Sequence, residues 1–391
     1  MMAEAILSPD RRRSLAAAIF CTSVVGTTMG LISPLLSLIL DRRGVDGQMI
    51  GLSAAAQSLA VLAVSPVAPL LISRFGMRRA AGGCILIILA MLVLLRLFEN
   101  LGAWFALRFI LGGAVTSLFI CTQTWVNRMA PPQARGRIVG AFGFLWSAGY
   151  AMGPLTIRLA GTEGWRPFLI ALSLVAVAGL PLLFAAAPEG EVHRGGLAGI
   201  GGILSRGGAA MAAILFLGLM DSTAISFLPI FGLRNGLDQA DAVTMLFAQE
   251  LGILAIQLPV GWAVDRMDSR RLLLVLSLLA FAVCLLLPLL VDVAFGLWPS
   301  LFLLSVATGG IWTVSLALMG QIFEGGHLAS AMALRSLIYG IGSIAGPPIA
   351  GLALALHTRS GLPWMMAAVC ALFLLLQIVL HSAREPRGAG G

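Results

Sequence analysis

The stretch QLPVGWAVDRMDSRR, residues 257–271, joins the end of one apolar run to the start of the next. An earlier stretch, QSLAVLAVSPVAPLLISRFGMRR at residues 57–79, matches residues 249–271, which contain the first stretch, with a shift of 192 positions. In this alignment Gln57 matches Gln249, Arg74 matches Arg266, and the two double arginines coincide. The same basic hairpin in both halves of an apolar chain indicates a duplicated helical bundle.

The composition points to a membrane protein. Of 391 residues, 59% are hydrophobic and 11% are charged, whereas soluble domains carry roughly 25% charged residues. The net charge of +8 comes from small groups of arginine at the ends of apolar runs, which is typical of membrane topology and not of a nucleic-acid-binding stripe. The chain has no lysine, and a Walker A phosphate loop needs one, so ATP-driven pumping by this chain alone is excluded.

The apolar runs predict an all-α polytopic membrane protein with twelve transmembrane helices. Lipid does not tolerate exposed strand edges, and each run has about the 20 residues that a spanning helix requires. We expect two six-helix bundles, at residues 1–187 and 209–391, joined by a flexible, glycine-rich cytoplasmic linker at 188–208. The twelve predicted spans are 14–40, 48–72, 80–98, 102–127, 138–160, 167–187, 209–232, 241–264, 271–290, 297–320, 331–356 and 362–381.

The arginine distribution predicts the orientation. Sixteen arginines lie in the N-terminal segment, in the loops after even-numbered spans and in the tail, and six lie in the opposite loops. The positive-inside rule therefore places both termini in the cytoplasm. The five cysteines stand singly within apolar runs, without the spacing of a metal site or a disulfide framework, so we expect neither metal nor cofactor.

A glycine and proline motif also occurs in both halves. Its residues are Gly149, Gly153 and Pro154 in span 5, and Gly342, Gly346 and Pro347 in span 11. Glycines four residues apart allow close helix packing, and proline bends a helix. Two interpretations stand: ordinary packing, or helix bending during gating, which the repetition favours.

These features together resemble the major facilitator superfamily over nearly the whole chain. They include an Arg-Xaa3-Gly opening to span 4, from Arg108 to Gly112. Within it, the chain resembles the YcaD-type group of bacterial permeases through QLPVG at 257–261, QTWVN at 123–127 and RGR at 135–137. That group usually has a glutamate at the position of Gln123. The resemblance implies a monomeric bacterial inner-membrane transporter that moves a small molecule by alternating access.

The resemblance also implies a cytoplasmic gate at the basic hairpins. Asp265 would belong to a latch that faces a helix N-terminus and nearby arginine, where a carboxylate is stabilised. The first half has Ser73 at the matching position, so we expect a strong latch in the second half and a weak one in the first. The predicted gate residues are Arg74, Arg78, Arg79, Gly261, Asp265, Arg266, Arg270, Arg271 and Arg335.

Ionisable residues within the spans are candidates for proton coupling, because charges inside a bilayer are costly and usually serve a function. Asp221 in span 7 and Glu250 in span 8 are both near the predicted midplane. They either load and release a proton or form structural ion pairs with Arg335 or Arg108. Arg108 matches the superfamily arginine of span 4, which implies proton coupling or anion contact, and the alternative is a snorkelling residue. Arg335 is either a gate residue or a pore-facing charge.

By resemblance, spans 1, 4, 7 and 10 line the central cavity. A mostly apolar lining with scattered hydroxyls suits an amphipathic organic solute better than a sugar, although many such hydroxyls bond only to their own helix backbone. The candidate cavity residues are Thr27, Thr28, Ser117, Gln123, Ser226, Gln249, Thr308 and Trp312.

The sequence supports one leading function and two alternatives. The glycine motif of span 5 resembles part of the signature of proton antiporters that export drugs, so the first hypothesis is proton-coupled efflux of a small organic compound. The second is uptake by proton symport or facilitated diffusion. The third is a transporter-like membrane sensor. No constellation of nucleophile and base indicates an enzyme.

Overall fold

The computed structural model describes residues 8–98, 100–131, 135–185, 200–264, 266–290, 294–323 and 325–382. Within these residues the chain forms thirteen α-helices. They are α1 (Pro9–Arg42), α2 (Gly47–Val64), α3 (Ala68–Phe75), α4 (Met77–Leu97), α5 (Leu101–Met129), α6 (Arg135–Ala160), α7 (Arg166–Phe184), α8 (Ile200–Arg234), α9 (Gln239–Val264), α10 (Ser269–Leu290), α11 (Ala294–Ile322), α12 (Gly325–Leu356) and α13 (Gly361–Ser382).

The second predicted span is two helices. The prediction of one helix over 48–72 is wrong because α2 ends at Val64 and α3 begins at Ala68. Pro66 has no backbone N–H and its ring displaces the preceding turn, and Pro69 follows within the first turn of α3. The repeat-equivalent helix α9 continues without interruption past Pro259. The other eleven predicted spans correspond to one helix each.

The predicted linker is partly helical. Helix α8 begins at Ile200, so residues 200–208 belong to it, and residues 188–199 lie outside the described residues. The backbone at Gly207 is not helical, with φ −103° and ψ 15°, and marks a kink between this extension and the membrane-spanning part of α8. The flexible-linker prediction is therefore wrong for its last nine positions.

Most of these helices are suited to a bilayer. In the described part of the chain, ten helices are long and apolar enough to cross a membrane, and a shorter apolar helix covers Arg166–Leu182. Many large apolar side chains on them are exposed, for example Leu86 on α4 and Leu289 on α10. Such surface is stable in lipid and not in water.

The chain divides into two compact units. One comprises Met1–Val45, Leu52–Arg194 and Gln239–Phe247, and the other comprises Asp46–Gly51, Gly195–Asp238 and Ala248–Gly391. Each unit is therefore built mainly from one half of the sequence. Each also includes the first turns of a helix from the other half, α9 in the first unit and α2 in the second.

Glycines set the closest helix contacts within each unit. In the first unit, a Cβ at Gly149 of α6 would collide with the carbonyl oxygen of Ser23 on α1. In the second, a Cβ at Gly342 of α12 would collide with the carbonyl oxygen of Leu215 on α8. The pairs α1–α6 and α8–α12 thus pack backbone against backbone, which only glycine permits.

Candidate functional site

A cluster of polar and aromatic side chains lies inside the second unit. The Tyr339 hydroxyl of α12 donates a hydrogen bond to Oδ2 of Asp221 on α8, at 3.2 Å. The Tyr339 ring meets the Trp312 ring of α11 edge-on, with centroids 5.8 Å apart and an interplanar angle of 85°. The Arg335 guanidinium lies over the same Trp312 ring, 4.1 Å from its centroid. Three helices therefore bring an acid, two aromatic rings and a cation together.

Close packing of α8 on α12 positions this cluster. A Cβ at Gly218 would collide with the carbonyl oxygen of Tyr339, so the two backbones touch there. Asp221 follows Gly218 by three residues, and Arg335 precedes Tyr339 by four. Side chains separated by three or four positions share one helix face. The small residue at 218 therefore places the acid beside the tyrosine, with the arginine one turn away.

The Arg335 guanidinium is incompletely paired. Its Nε and Nη2 atoms are sealed from solvent, and neither has a hydrogen-bond partner among the described residues. No ion pair within 4.0 Å joins Arg335 to Asp221 in the part of the chain that the structure describes. The structural ion pair considered for Asp221 is thus not formed with Arg335, and Asp221 bonds to Tyr339 instead.

Helix α9 adds two polar residues near its middle. Glu250 is half-buried and lies on the helix that follows α8 in the chain. Its neighbour Gln249 is 9% exposed, and its Oε1 has no partner in the described residues. A joint role of Glu250 and Asp221 stays a prediction.

The first unit contains an apolar counterpart of the cluster. The Phe119 ring of α5 meets the rings of Trp146 and Phe142 on α6, with centroids 4.8 and 5.6 Å away respectively. A shift of 193 positions converts Phe119, Phe142 and Trp146 into Trp312, Arg335 and Tyr339. The glycine contact repeats as well, because a Cβ at Gly26 would press on the carbonyl oxygen of Trp146.

Arg108 is a second buried cation, and it lies in the first unit. It is 1% exposed, its Nη1 donates to Oγ of Ser53 on α2 at 3.3 Å, and its Nε has no partner among the described residues. A snorkelling arginine would extend its head group to the interface. The burial of Arg108 does not fit that alternative.

Several predicted cavity hydroxyls bond to their own helices. Thr27 and Thr28 donate to the carbonyl oxygens four residues earlier, and Thr308 donates to the carbonyl oxygen of Ser305. Their capacity for a solute is reduced accordingly. Ser117 and Ser226 are buried, whereas Gln123 is exposed. Trp312 is the predicted cavity residue that the structure brings into the cluster with Asp221.

Several of the predicted gate residues that the structure describes have local contacts of their own. The Arg266 guanidinium lies 3.8 Å from the centroid of its neighbour Trp262, and Ser73 donates to the carbonyl oxygen of Leu70 in its own helix. Asp265 lies outside the described residues, so the latch stays a prediction. Arg335 lies in the Trp312 cluster, and its role in a gate stays a prediction. The hairpin side chains of Arg74, Arg78, Arg79, Arg266 and Arg271 are exposed, and Gly261 and Arg270 are partly exposed.

The glycines of the repeated motif contact neighbouring helices. Gly153 of α6 packs on Gly30 of α1, and Gly346 of α12 packs on Leu219 of α8. Pro154 and Pro347 lie inside continuous helices. These contacts account for the packing interpretation, and a bending role in gating stays a prediction.

An apolar groove lies away from the Trp312 cluster. It has a volume of about 630 Å³ between α4 and α7 and is lined by Leu89, Val93, Leu172 and other small or alkyl residues, with Ser173. It contains no charged side chain, so it does not fit the binding of an ion.

Tyr339 was missed by the reasoning from sequence. A tyrosine within a transmembrane helix carries no charge, and its partner Asp221 is 118 positions away. The 193-residue shift that relates the two glycine motifs also aligns it with Trp146. Extending that alignment over all aromatic residues would have revealed the paired clusters.

Comparison with known proteins identifies the family. A family model described as Major Facilitator Superfamily matches residues 18–248 and again residues 210–390. The chain belongs to the major facilitator superfamily. An uncharacterized transporter of this superfamily type, YfkF of Bacillus subtilis, is 26% identical over 341 residues, which cover 85% of this chain and 86% of that protein. Another from Yersinia pestis is 24% identical over 357 residues, covering 89% and 91%.

Solved structures show the same fold. A bacterial homologue of the human lysosomal transporter Spinster, in an inward-facing and unoccupied conformation, superimposes with a TM-score of 0.79 at 14% identity and covers 98% of this chain and 100% of that one. A point mutant of the nucleoside transporter NupG gives 0.76 at 15% identity and covers 96% and 98%. A D-xylose–proton symporter gives 0.74 at 15% identity, covering 93% and 96%.

Membership of the major facilitator superfamily confirms the predicted fold class and the general function. The protein is a multi-pass membrane protein with the major facilitator fold, and it is a secondary transporter of small molecules and not an enzyme. The assignment to the YcaD-type group within the superfamily stays a prediction.

Proposed function

We propose that this protein is a proton-coupled secondary transporter that exports a small, amphipathic organic solute across the bacterial inner membrane. The observation that carries the proposal is the Asp221 carboxylate, which lies in the middle of α8 and accepts a hydrogen bond from Tyr339. Two acids on consecutive apolar helices, Asp221 and Glu250, are costly to keep in a bilayer and are typical of proton pathways. Export is the direction that the glycine motif of α6 favours.

The geometry suggests how a proton would alter the site. The hydrogen bond from Tyr339 to Asp221 is strongest when the carboxylate is ionised, since charged acceptors form stronger bonds. Protonation weakens it and leaves the Tyr339 ring freer to move against Trp312, with which it is in contact. A change at Asp221 therefore reaches the aromatic surface that carries Arg335.

The proposed orientation has both termini in the cytoplasm and one bundle in each half of the chain. Besides the arginine count, the start of α1 supports it. Arg11 Nε donates to the carbonyl oxygen of Met129 at 2.8 Å, so the beginning of α1 caps the end of α5. Those two helix ends must then lie on the same side of the membrane, as the positive-inside rule predicts for them.

Proton-coupled uptake is the second candidate. The unpaired Nε and Nη2 of Arg335 favour it, because they lie in the same cluster as Asp221. An anion held by Arg335 and a proton held by Asp221 would attract each other and bind together, which is the behaviour of a symporter.

Proteoliposomes loaded with a pH-sensitive dye test both candidates. Purified protein is reconstituted, and organic solutes are added outside at equal pH on both sides. Export by proton exchange makes the lumen alkaline as solute enters, and symport makes it acidic, whichever way the protein is inserted. Empty liposomes correct for solute that crosses the lipid unaided.

The acid is tested in the same assay. Asp221→Asn should abolish the solute-dependent pH change, and Glu163→Gln, which alters an exposed acid paired with Arg42, should not. Solute entry without any pH change in the wild type, or an unaltered pH change in Asp221→Asn, would disprove the coupling proposal.

A further inference from the structure

The guanidinium of Arg335 presents an unpaired edge inside the second unit. Nε and Nη2 both lie on one edge of the planar group, and both are buried without a partner in the described residues. Two parallel N–H groups on one edge match the two oxygens of a carboxylate. A buried donor without an acceptor costs free energy, more so when it is charged. A single carboxylate would therefore fit the geometry of this edge and would remove the free-energy cost of its two unpaired donors.

The group is also held in a fixed plane. The Trp312 ring lies under the guanidinium, with its centroid 4.1 Å from Cζ of Arg335, and the Tyr339 ring packs edge-on against Trp312. Stacking of this kind leaves the in-plane N–H groups free to donate. Trp312 is 38% exposed, so apolar ring surface remains accessible beside the cation. A cation and an apolar surface side by side suit a solute with an oxyanion on an apolar body.

The first unit shows that packing does not require an arginine at this place. Its equivalent of Arg335 is Phe142, which is 3% exposed and packs on Phe119 as Arg335 packs on Trp312. The same framework of two helices and three side chains is thus complete with apolar residues alone. The positive charge of Arg335 in the second unit is therefore not explained by packing.

We infer that Arg335 binds the carboxylate of an organic anion, with Trp312 as the platform for the apolar part of that solute. This assignment rests on the proposed transport function, in whichever direction the solute moves, and names its substrate class. Recognition is bidentate, through Nε and Nη2. Neutral analogues that lack the second acceptor oxygen leave one donor unpaired and bind more weakly.

Matched pairs of acids and amides test the assignment on the full-length purified protein. The probes are phenylacetate, indole-3-acetate and hexanoate, each beside its primary amide, at neutral pH. They are tested up to about 10 mM, because a ligand of this size with one strong ion pair reaches millimolar affinity. We expect the acids to raise the melting temperature and to bind at least about tenfold more tightly than their amides.

Three variants locate the effect. Arg335→Phe copies the first unit's cluster and should fold, yet lose all preference for acids over amides. Arg335→Lys keeps the positive charge but lacks the two parallel N–H groups, so it should weaken the binding of acids by about tenfold. Arg206→Gln removes another arginine that lies over an aromatic ring, Phe323, and should leave the preference intact.

Three results would overturn the inference: amides that bind as well as acids, a preference for acids that survives Arg335→Phe or Arg335→Lys undiminished, or no binding by any acid. The vesicle assay separates this inference from the transport proposal. If the acids bind but are not transported, the proposal of transport is contradicted, and the inference that Arg335 binds a carboxylate is not. Neutral solutes that are transported with protons, while acids fail to bind, contradict the inference alone.

Discussion

Tyr339 connects the acid of α8 to the aromatic surface of α11. Its hydroxyl bonds to Asp221 and its ring packs on Trp312, which in turn supports Arg335. One side chain therefore touches both the proposed proton carrier and the proposed solute platform. Its two contacts can be separated experimentally, because the hydroxyl makes one and the ring makes the other.

Tyr339→Phe should lower proton-coupled transport by about tenfold while leaving the fold intact. The variant removes a hydrogen bond to a charged group, worth about 1.5 kcal/mol or more, and keeps the ring against Trp312. The solute-dependent pH change in dye-loaded proteoliposomes measures the loss.

The matched control is Tyr150→Phe on α6, the other tyrosine in the sequence. It removes the same hydroxyl from the first unit and should retain most of the coupled transport. Equal losses in the two variants would mean that the Asp221 hydrogen bond has no special part in coupling.

Among the elements, α6 makes its closest contact with α1 through glycine. Gly149→Ala should destabilise the protein by about 1–3 kcal/mol, because a Cβ there meets a backbone carbonyl that cannot move aside. The thermal unfolding of the detergent-solubilised protein measures the change.

Gly143 of the same helix provides the control. A Cβ at this position would have no heavy atom within 4 Å, so Gly143→Ala should be neutral or stabilise by up to about 1 kcal/mol through helix propensity. Similar losses from both substitutions would show that the α1–α6 contact is not as close as described.

The helices themselves were largely predictable, and the exceptions have local causes. Apolar run length determines a spanning helix, because lipid leaves the backbone no other partner. The break between α2 and α3 depends on Pro66 and Pro69 together, whereas α9 continues past its single Pro259. The start of α8 at Ile200 was missed because glycines at 201, 202, 207 and 208 indicate a flexible linker, yet the backbone there is helical except at Gly207.

At the scale of the molecule, α9 is divided between the two compact units. Its first turns, Gln239–Phe247, group with the first unit, where Arg158 of α6 bonds to Asp241 at 3.1 Å and to Thr244 at 2.7 Å. Both members of the ion pair are more than 40% exposed, and exposed pairs contribute about 0–1 kcal/mol. This contact is therefore weak enough to open during a transport cycle.

A covalent link at this contact should stop transport. In Arg158→Cys/Asp241→Cys, a short bis-methanethiosulfonate reagent would join α6 to the start of α9 through two disulfide bonds, and a reducing agent that cleaves them should restore the activity. Vesicle transport before and after reduction is the measurement.

The two single-cysteine variants, treated in the same way, control for modification of native cysteines. Of these, Cys21, Cys121, Cys284 and Cys370 are buried. Full transport by a completely cross-linked double variant would show that α6 and the start of α9 need not separate.

The charged residues of the candidate site could be predicted from the sequence, but the contacts among its residues could not. Asp221, Glu250 and Arg335 stood out because ionisable residues are rare in membrane helices. The grouping of Asp221 and Arg335 with Trp312 and Tyr339 depends on how α8, α11 and α12 cross, and Gly218 allows the close approach of α8 to α12. Asp265, by contrast, was predicted as a gate residue from the resemblance to the family and not from its charge.

Met29 occupies on α1 the place that Asp221 occupies on α8, 192 positions later. Gln57 already directs its Nε2 towards the Met29 sulfur, at 3.8 Å, and also donates to Ser33 at 3.2 Å. A carboxylate at position 29 would therefore find an amide donor already in place. In the proposed proton-coupled mechanism, an aspartate at position 29 would give the first unit an acid at the place that Asp221 has in the second.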